Sequence, residues 1–388
     1  MARFFYVFIL INPILIIASW GGEHRLIASL SHIASLGLTF GFLVYLMKGA
    51  PLKSLDYIDS LLVMGGFWIL IAGLSHFPDL KTLGSSGVAV MAVFSFYFLP
   101  KILGAFQDKE DLRRLLISIS LVGPIYSLVG FIYKFLGGGG LTLFYKDTFV
   151  FSSVFPNPNG FGVACLAGFI AAYFVKREFG GVAPGVLAFL NLIFVLWSFS
   201  RGVIFPALVI IFLYEGFLSS HRRGSTKYAF IFLGGVSLTL IVLLLFNFAG
   251  PKASLVHTFL VRLEIWEKAF DAIGAHFLFG YGESQIRSSF NVGYLANRTA
   301  HNSFVDTSLK FGVLPGIFFG FWFLLRLVKF GYYRVFSDRE TGAWSILWLG
   351  VGALFLQAFV RNSFVFSSSL ALGVVPFYLI LATISKED

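Results

Sequence analysis

The sequence predicts an all-α polytopic membrane protein with about 12 transmembrane helices and a long outer loop that contains an amphipathic helix. Of the 388 residues, 57% are hydrophobic and 12% are charged, whereas a soluble domain carries about 25% charged residues. Apolar runs recur along the chain, and such runs must be helical because lipid offers the backbone no hydrogen-bonding partner. The sequence therefore divides into helices 1–9 within residues 1–249, an outer loop over 250–301, and helices 10–12 within 302–388.

Each predicted helix ends where charged or turn-forming residues interrupt the apolar run. The predicted spans are residues 4–20, 28–47, 60–75, 84–104, 112–136, 159–176, 182–199, 201–217, 228–248, 302–328, 343–361 and 366–384. The tenth run is thus predicted to form one helix.

The distribution of Lys and Arg orients the chain. A net charge of +10 fits the enrichment of basic residues in cytoplasmic loops, so membrane lipids are expected partners and nucleic acid is not. Short basic loops such as His221-Arg222-Arg223 place both termini in the cytoplasm. Five polar features then fall on the outer face: the Pro156-Asn157-Pro158-Asn159-Gly160 turn, Ser200-Arg201-Gly202, the long loop, His301-Asn302 and Arg361-Asn362.

The first half of the outer loop has the periodicity of a helix. Apolar residues recur every three or four positions at Leu255, Phe259, Leu263, Trp266 and Phe270. This pattern predicts an amphipathic helix that lies along the membrane surface or over the bundle. The segment Phe279-Gly280-Tyr281-Gly282 ends it with turns, and residues 280–298 receive no predicted role.

Four arginines on the outer face are candidates for binding an anion. Arg201 stands between two apolar runs, where it is either an interface anchor or a clamp for phosphate, which the planar guanidinium binds through two hydrogen bonds. Arg262 on the amphipathic helix has the same two readings, as do Arg298 and Arg361. Their common side favours a lipid phosphate or diphosphate as the ligand.

His301 is the candidate general base, because its unperturbed pKa lies near neutral pH and neighbouring arginines would keep it neutral. The alternative is a structural histidine at a helix start. Asn159 is either a turn and capping residue or a contact to sugar hydroxyls. The histidines have no metal-ligand spacing and the outer face has no Asp-x-Asp, so neither a metal nor another cofactor is expected.

Together these motifs resemble the O-antigen ligase and O-antigen polymerase superfamily over residues 150–316. The resemblance is carried by the Pro156–Gly160 turn, Ser200-Arg201-Gly202, Arg262 before Ile265-Trp266, Phe279-Gly280-Tyr281-Gly282, and His301-Asn302 followed by Gly312. In the ligase pattern nine residues separate the His-Asn pair from a glycine, as residues 303–311 do here. Three positions later the pattern has Gly, Thr or Tyr, where this chain has Pro315.

The resemblance implies an inverting, metal-independent glycosyltransferase in the bacterial inner membrane, with its active site facing the periplasm. Its donor is a glycan linked to undecaprenyl diphosphate. The acceptor is the lipid A–core oligosaccharide for a ligase and a second lipid-linked repeat unit for a polymerase. Carried over by residue, Arg201 and Arg262 bind the diphosphate and His301 is catalytic. Arg298, Arg361, Asn302 and Asn159 are further candidates for substrate contacts.

Ligase activity is the leading hypothesis and polymerase activity the near alternative, since both share donor and fold. A non-enzymatic lipid or polysaccharide transporter is the alternative from another class. A transporter places charged residues near the bilayer midplane. Here the polar groups are predicted at outer helix ends, which favours an enzyme acting on one side of the membrane.

Overall fold

A computed structural model describes residues 56–98, 101, 109–136, 150, 151, 153, 158–218, 234, 235, 255–283, 286, 302–332 and 342–360. These residues form helices and contain no strand. The helices are α1 (Tyr57–Ser75), α2 (Leu80–Val93), α3 (Lys109–Ser120), α4 (Val122–Phe135), α5 (Pro158–Phe179), α6 (Val182–Trp197), α7 (Arg201–Leu213), α8 (Leu255–Ala275), α9 (Ser303–Phe311), α10 (Val313–Phe330) and α11 (Trp344–Val360). Short π-helical turns, Phe94–Phe98 and Tyr214–Leu218, follow α2 and α7.

Several of these helices have the length and composition of membrane spans. The longest apolar segments are Tyr57–Ser75, Leu112–Ile132, Pro158–Phe179 and Val313–Phe330, and α6, α7 and α11 contribute shorter ones. For the described residues, the prediction of an all-helical, multi-pass membrane protein is confirmed. The predicted spans 4–20, 28–47 and 366–384, and nearly all of 228–248, lie outside the described residues, so the number of 12 stays a prediction.

Helix α5 is the centre of the bundle. It contacts α3, α4, α6, α7 and α11, and nearly its whole length is buried. Its middle is built from small residues, which let neighbouring backbones approach closely, as is common between membrane helices. These residues are Ala164, Cys165, Ala167, Gly168, Ala171 and Ala172.

A buried side-chain amide donates a hydrogen bond to the backbone where α3 joins α4. Pro124 has no N–H, so it cannot donate to the carbonyl of Ser120 four residues earlier. Asn191 of α6 supplies the missing donor, with its Nδ2 2.7 Å from the Ser120 oxygen. The amide fits against Gly123 and Gly168, where any Cβ would collide with it. This contact satisfies a carbonyl that lipid could not.

The predicted tenth span is wrong at Gly312, where the chain turns and two helices replace one. Gly312 has a φ of 85°, in the left-handed region that glycine tolerates. Pro315 is compatible with this break, because at the start of α10 its missing N–H leaves no helical bond unmade. Helix α9 has nine residues, about 14 Å, which is too short to cross a bilayer core of about 30 Å.

Helices α9 and α10 form an antiparallel hairpin. A Cβ on Gly316 would lie 3.0 Å from Ser308 Oγ, and one on Gly320 would lie 3.5 Å from the Phe304 ring. Pairing Phe304 with Gly320 puts the start of α9 about 10 Å from the first residue of α10, measured along the α10 axis. Asn302 therefore lies well down the side of α10 rather than level with its start.

An ionic cluster joins the other end of α10 to the start of α1. Arg326 donates to Asp56 at 2.6 and 2.5 Å and to Asp59 at 2.5 Å. Lys101 lies 2.6 Å from Asp59, and Tyr97 donates to the same carboxylate at 2.7 Å. Because Asp59 is fully buried, its charge requires these partners. This cluster fixes the α1–α10 pair at the end predicted to face the cytoplasm.

Candidate active site

The segment Phe277–Glu283, here called the glycine segment, follows α8, the helix of the predicted outer loop, and contacts the α9–α10 hairpin. Tyr281 N donates to Leu309 O at 2.7 Å, and Val313 N donates to Phe277 O at 3.0 Å. Gly280 has a φ of 68°, and a Cβ there would lie 2.6 Å from Leu309 O. The glycines that the sequence marked only as turn residues thus permit close backbone contact with the hairpin.

The same segment also docks on α1, on the start of α2 and on the turn between them. Trp68 Nε1 donates to Leu278 O at 2.8 Å, and its ring stacks on Phe279 at a centroid distance of 5.7 Å. Glu283 N donates to Thr82 Oγ1 at 2.6 Å. The beginning of the stretch with no predicted role, 280–298, is therefore a structural joint between α8, the hairpin and the α1–α2 turn.

Helices α8 and α9 run side by side in the same direction. They end together, as the backbone bonds of the glycine segment show, and their buried apolar side chains form one cluster. This cluster contains Ile265, Ala269 and Ile273 of α8 with Val305 and Leu309 of α9. The predicted helix over the loop is therefore present.

The face of α8 that contacts the bundle matches the predicted apolar stripe only in part, because Trp266 packs against the buried cluster. Leu263 is 41% exposed and Phe270 is 56% exposed, although both belonged to that stripe. The bundle instead contacts Ile265, Ala269 and Ile273. The two stripes are adjacent on the helix. The exposed stripe with Leu263 and Phe270 can face lipid, and charged residues such as Glu264 and Lys268 occupy the remaining side.

Arg262 lies on the bundle-facing side of α8. It precedes Ile265 by three residues and Ala269 by seven, which places all three on one face, and it is half-buried. Helices α8 and α9 are parallel and end together. Arg262, which lies earlier in α8 than Ile265, is therefore near the start of α9. The structure thus brings Arg262 and Asn302 to the same part of the molecule.

Asn302 is the N-cap of α9. Its Oδ1 accepts hydrogen bonds from Phe304 N at 3.0 Å and Val305 N at 3.2 Å, and the residue is buried. The carbonyl oxygen that could have bound a substrate hydroxyl is used to cap the helix. Nδ2 is the donor that the cap does not use, and the substrate contact predicted for Asn302 remains a prediction that would use this group.

The first turns of α9 bury an unusual amount of polar chemistry. Ser303, Asp306, Thr307 and Ser308 are all buried, with Thr307 Oγ1 donating to Ser303 O at 2.7 Å. Asp306 is a functional candidate that sequence reasoning missed. The sequence could have revealed it, because Asp306 is an acidic residue inside an apolar run, about one turn after His301-Asn302. A carboxylate there also complements the positive end of the α9 dipole.

The first turns of α5 and α7 meet at one end of the bundle. Arg201 is the first residue of α7, directly after the Ser200 N-cap. Gly162 of α5 lies against Ser198 and Val203, which flank that cap. Asn159 is in the first turn of α5, so the structure places the backbones of Arg201 and Asn159 at the same end. Arg298, His301 and Arg361 lie outside the described residues.

Within the described part of the chain, no three His, Cys, Asp or Glu side chains come together as a metal site. Metal independence nevertheless remains a prediction that requires an activity measurement.

Comparison with known proteins agrees with the sequence motifs. Residues 186–320, about a third of the chain, match the family model described as O-antigen ligase. A search of curated proteins found no match. The matched range includes the positions of Arg201, Arg262, Arg298, His301 and Asn302, whereas Asn159 and Arg361 lie outside it. Over residues 186–320, this multi-pass membrane protein is therefore similar to the O-antigen ligase family.

Proposed function

We propose that the protein is an inverting, metal-independent glycosyltransferase of the bacterial inner membrane. It moves O-antigen glycan from undecaprenyl diphosphate to a hydroxyl of the lipid A–core oligosaccharide on the periplasmic side. The observation that carries this proposal is the parallel packing of α8 and α9 within the family-matched stretch. That packing puts the face of Arg262 beside the start of α9, which His301 precedes by two positions.

The donor diphosphate is assigned to Arg201 and Arg262. An arginine at the first position of a helix stands at the positive end of the helix dipole, which is unfavourable unless an anion is bound there. Backbone N–H groups of the first helical turn can add further donors for phosphate oxygens. Two guanidinium groups would balance the charge that develops on the leaving diphosphate without a metal ion.

His301 is assigned the role of general base. Its neutral imidazole takes the proton of the acceptor hydroxyl as the oxygen attacks the anomeric carbon of the donor sugar. The bond from that carbon to the diphosphate oxygen breaks, and undecaprenyl diphosphate leaves from the opposite face with inversion. Buried Asp306, on the next turn, is assigned the stabilisation of the imidazolium that results.

A polymerase would use the same donor chemistry with a second lipid-linked unit as acceptor, and Pro315 keeps this alternative open. The transporter alternative loses one argument. Of the three charged residues that lie away from the predicted outer helix ends, Lys134, Glu215 and Lys310, two are paired. Lys310 lies 2.5 Å from Glu283, and Glu215 is ion-paired with Arg177.

Reconstitution tests the proposal directly. Purified protein is supplied with an undecaprenyl-diphosphate glycan and either lipid A–core or a second lipid-linked unit, and the products are separated. Transfer to lipid A–core is expected, and His301→Ala should lower it by at least about 100-fold. His221→Ala, in a predicted cytoplasmic loop, is the matched control and should transfer normally.

Other results would change the assignment. Near-normal transfer by a folded His301→Ala protein would show that His301 is not the general base. Transfer only to the second lipid-linked unit would make the protein a polymerase. A folded wild-type protein that yields neither product would contradict enzymatic transfer and favour the transporter.

A further inference from the structure

Gln357 is a buried amide in an apolar helix. It is 3% exposed, and its neighbours in α11 are almost all hydrophobic. Its Oε1 is buried and accepts no hydrogen bond from any residue that the structure describes. An unsatisfied amide inside a membrane helix costs free energy, so its presence there calls for a compensating role.

The packing of α11 places Gln357 at the candidate site. Near the start of α11, the Trp344 ring lies 5.0 Å from that of Phe174, close to the end of α5. Gly350 packs against Ile170, four residues earlier in α5, so the two helices are antiparallel. Gln357 lies about two turns beyond Gly350. It is therefore level with the first two turns of α5.

That level is also where the other site elements converge. Gly162, in the first turns of α5, touches Ser198 and Val203 on either side of the Arg201 position. From the opposite direction, the ring of Phe355 lies 5.8 Å from that of Phe304, which is two residues after Asn302. Helix α11 thus contacts both α7 and α9, and Gln357 lies at the level where these helices begin, on the side of α11 that faces α5.

We propose that Gln357 binds a sugar hydroxyl in this site. The proposal rests on the proposed glycosyl transfer and deepens it by assigning a ligand contact beyond the family-matched range. A buried carbonyl oxygen repels phosphate but accepts a hydrogen bond from a hydroxyl. The amide NH₂ can donate to a neighbouring hydroxyl, so one side chain matches the paired hydroxyls of a sugar ring. The sugar belongs to either the donor glycan or the acceptor.

Measurements of stability and activity distinguish a ligand-binding role of Gln357 from a structural one. Gln357→Met keeps the approximate length of the side chain and removes both polar atoms. If the amide exists for a ligand, the substitution should leave the melting temperature of the detergent-purified protein unchanged or raise it, because it removes an unsatisfied group. In the reconstituted reaction, kcat/KM should fall by about 10- to 100-fold.

The matched control is Leu356→Met on the neighbouring, exposed side of α11, where the residue is 65% exposed; it should change neither quantity. A raised KM for lipid A–core at fixed donor assigns the hydroxyl to the acceptor, and a raised KM for the lipid-linked glycan assigns it to the donor. Deoxy-sugar substrates provide a second measurement. The substrate that lacks the bound hydroxyl should react about equally with the wild type and Gln357→Met.

Two outcomes would overturn the inference. A lower melting temperature with unchanged kcat/KM would make Gln357 structural. Unchanged values of both would mean that the amide is satisfied by water alone. In either case, an active wild type together with an inactive His301→Ala leaves the proposed transfer intact. Absence of product from the wild type would instead refute the transfer itself.

Discussion

At the scale of single residues, the two candidate phosphate-binding arginines occupy unlike positions in their helices. Arg201 begins a helix, whereas Arg262 lies along the bundle-facing side of α8, in line with Ile265. The sequence identified Arg201 by the apolar runs on either side of it, and Arg262 by its place on an amphipathic helix. It could not identify Gln357, because a single amide in an apolar run is informative only when its neighbours are known to leave it unsatisfied.

Arg201→Lys and Arg262→Lys test whether these residues bind the diphosphate in the planar, bidentate manner. Lysine retains the charge but loses the fork of donors. Each substitution should therefore raise the KM for the lipid-diphosphate donor about tenfold or more, with less effect on the acceptor.

Arg113→Lys is the control, since Arg113 pairs with Glu110 at 3.3 Å on the surface of α3. Donor kinetics unchanged in both site variants would make these arginines interface anchors instead.

At the scale of helices, the α9–α10 hairpin is the feature that the sequence did not reveal. The apolar pattern continues through Gly312. The turn is held by a residue distant in sequence, Phe277, whose carbonyl oxygen accepts a hydrogen bond from Val313 N. The sequence could not predict which side of α8 faces the bundle, for a related reason. Both of its apolar stripes satisfy a helical period, and only the position of α9 shows which of them meets protein.

Gly312→Ala should disrupt the hairpin. A side chain there must adopt a φ of 85° and would collide with Leu278 O. We expect a loss of at least about 1–3 kcal/mol in stability, seen as a lower melting temperature, together with impaired glycan transfer.

The control is Gly84→Ala in α2, where a Cβ would meet no atom within 4 Å. This substitution should stabilise the protein by about 0.5–1 kcal/mol because alanine favours a helix. A Gly312→Ala protein as stable and active as the wild type would argue against the turn.

At the scale of the whole molecule, the described chain has two polar ends that differ in character. One end holds the ionic cluster of Asp56, Asp59, Lys101 and Arg326, in which opposite charges are paired. The other gathers the starts of α5 and α7. Hydrophobic runs and basic loops predicted the helices and their orientation. The pairing of α1 with α10 joins residues about 270 positions apart, which no local pattern encodes.

The ionic cluster makes stability depend on acid pH. Burial raises the pKa of Asp56, but the hydrogen bond and charge of Arg326, with the charge of Lys101, outweigh it and lower the pKa from 3.8 to about 2. A carboxylate with a lowered pKa stabilises the fold above its unfolded value, and this contribution is lost as the pH falls from about 4 to about 2. Asp56→Asn should therefore cost on the order of 1–2 kcal/mol at pH 5.

Melting curves in detergent at pH 5 and pH 3 provide the measurement. The difference between wild type and Asp56→Asn should shrink at the lower pH, because protonation removes the same charge in the wild type. A difference that stays constant between the two pH values would show that the charge of Asp56 contributes nothing.

The bond between Asn191 and Ser120 also has a consequence for the order of biogenesis. Ribosomal synthesis delivers the proline-containing joint of α3 and α4 before α6, and the Ser120 carbonyl meets its donor only after 71 further residues. Until then, that carbonyl needs water or the insertion machinery as its partner. We therefore expect that productive release of α4 into lipid waits for α6, so that α3, α4 and α6 enter the bilayer as a group.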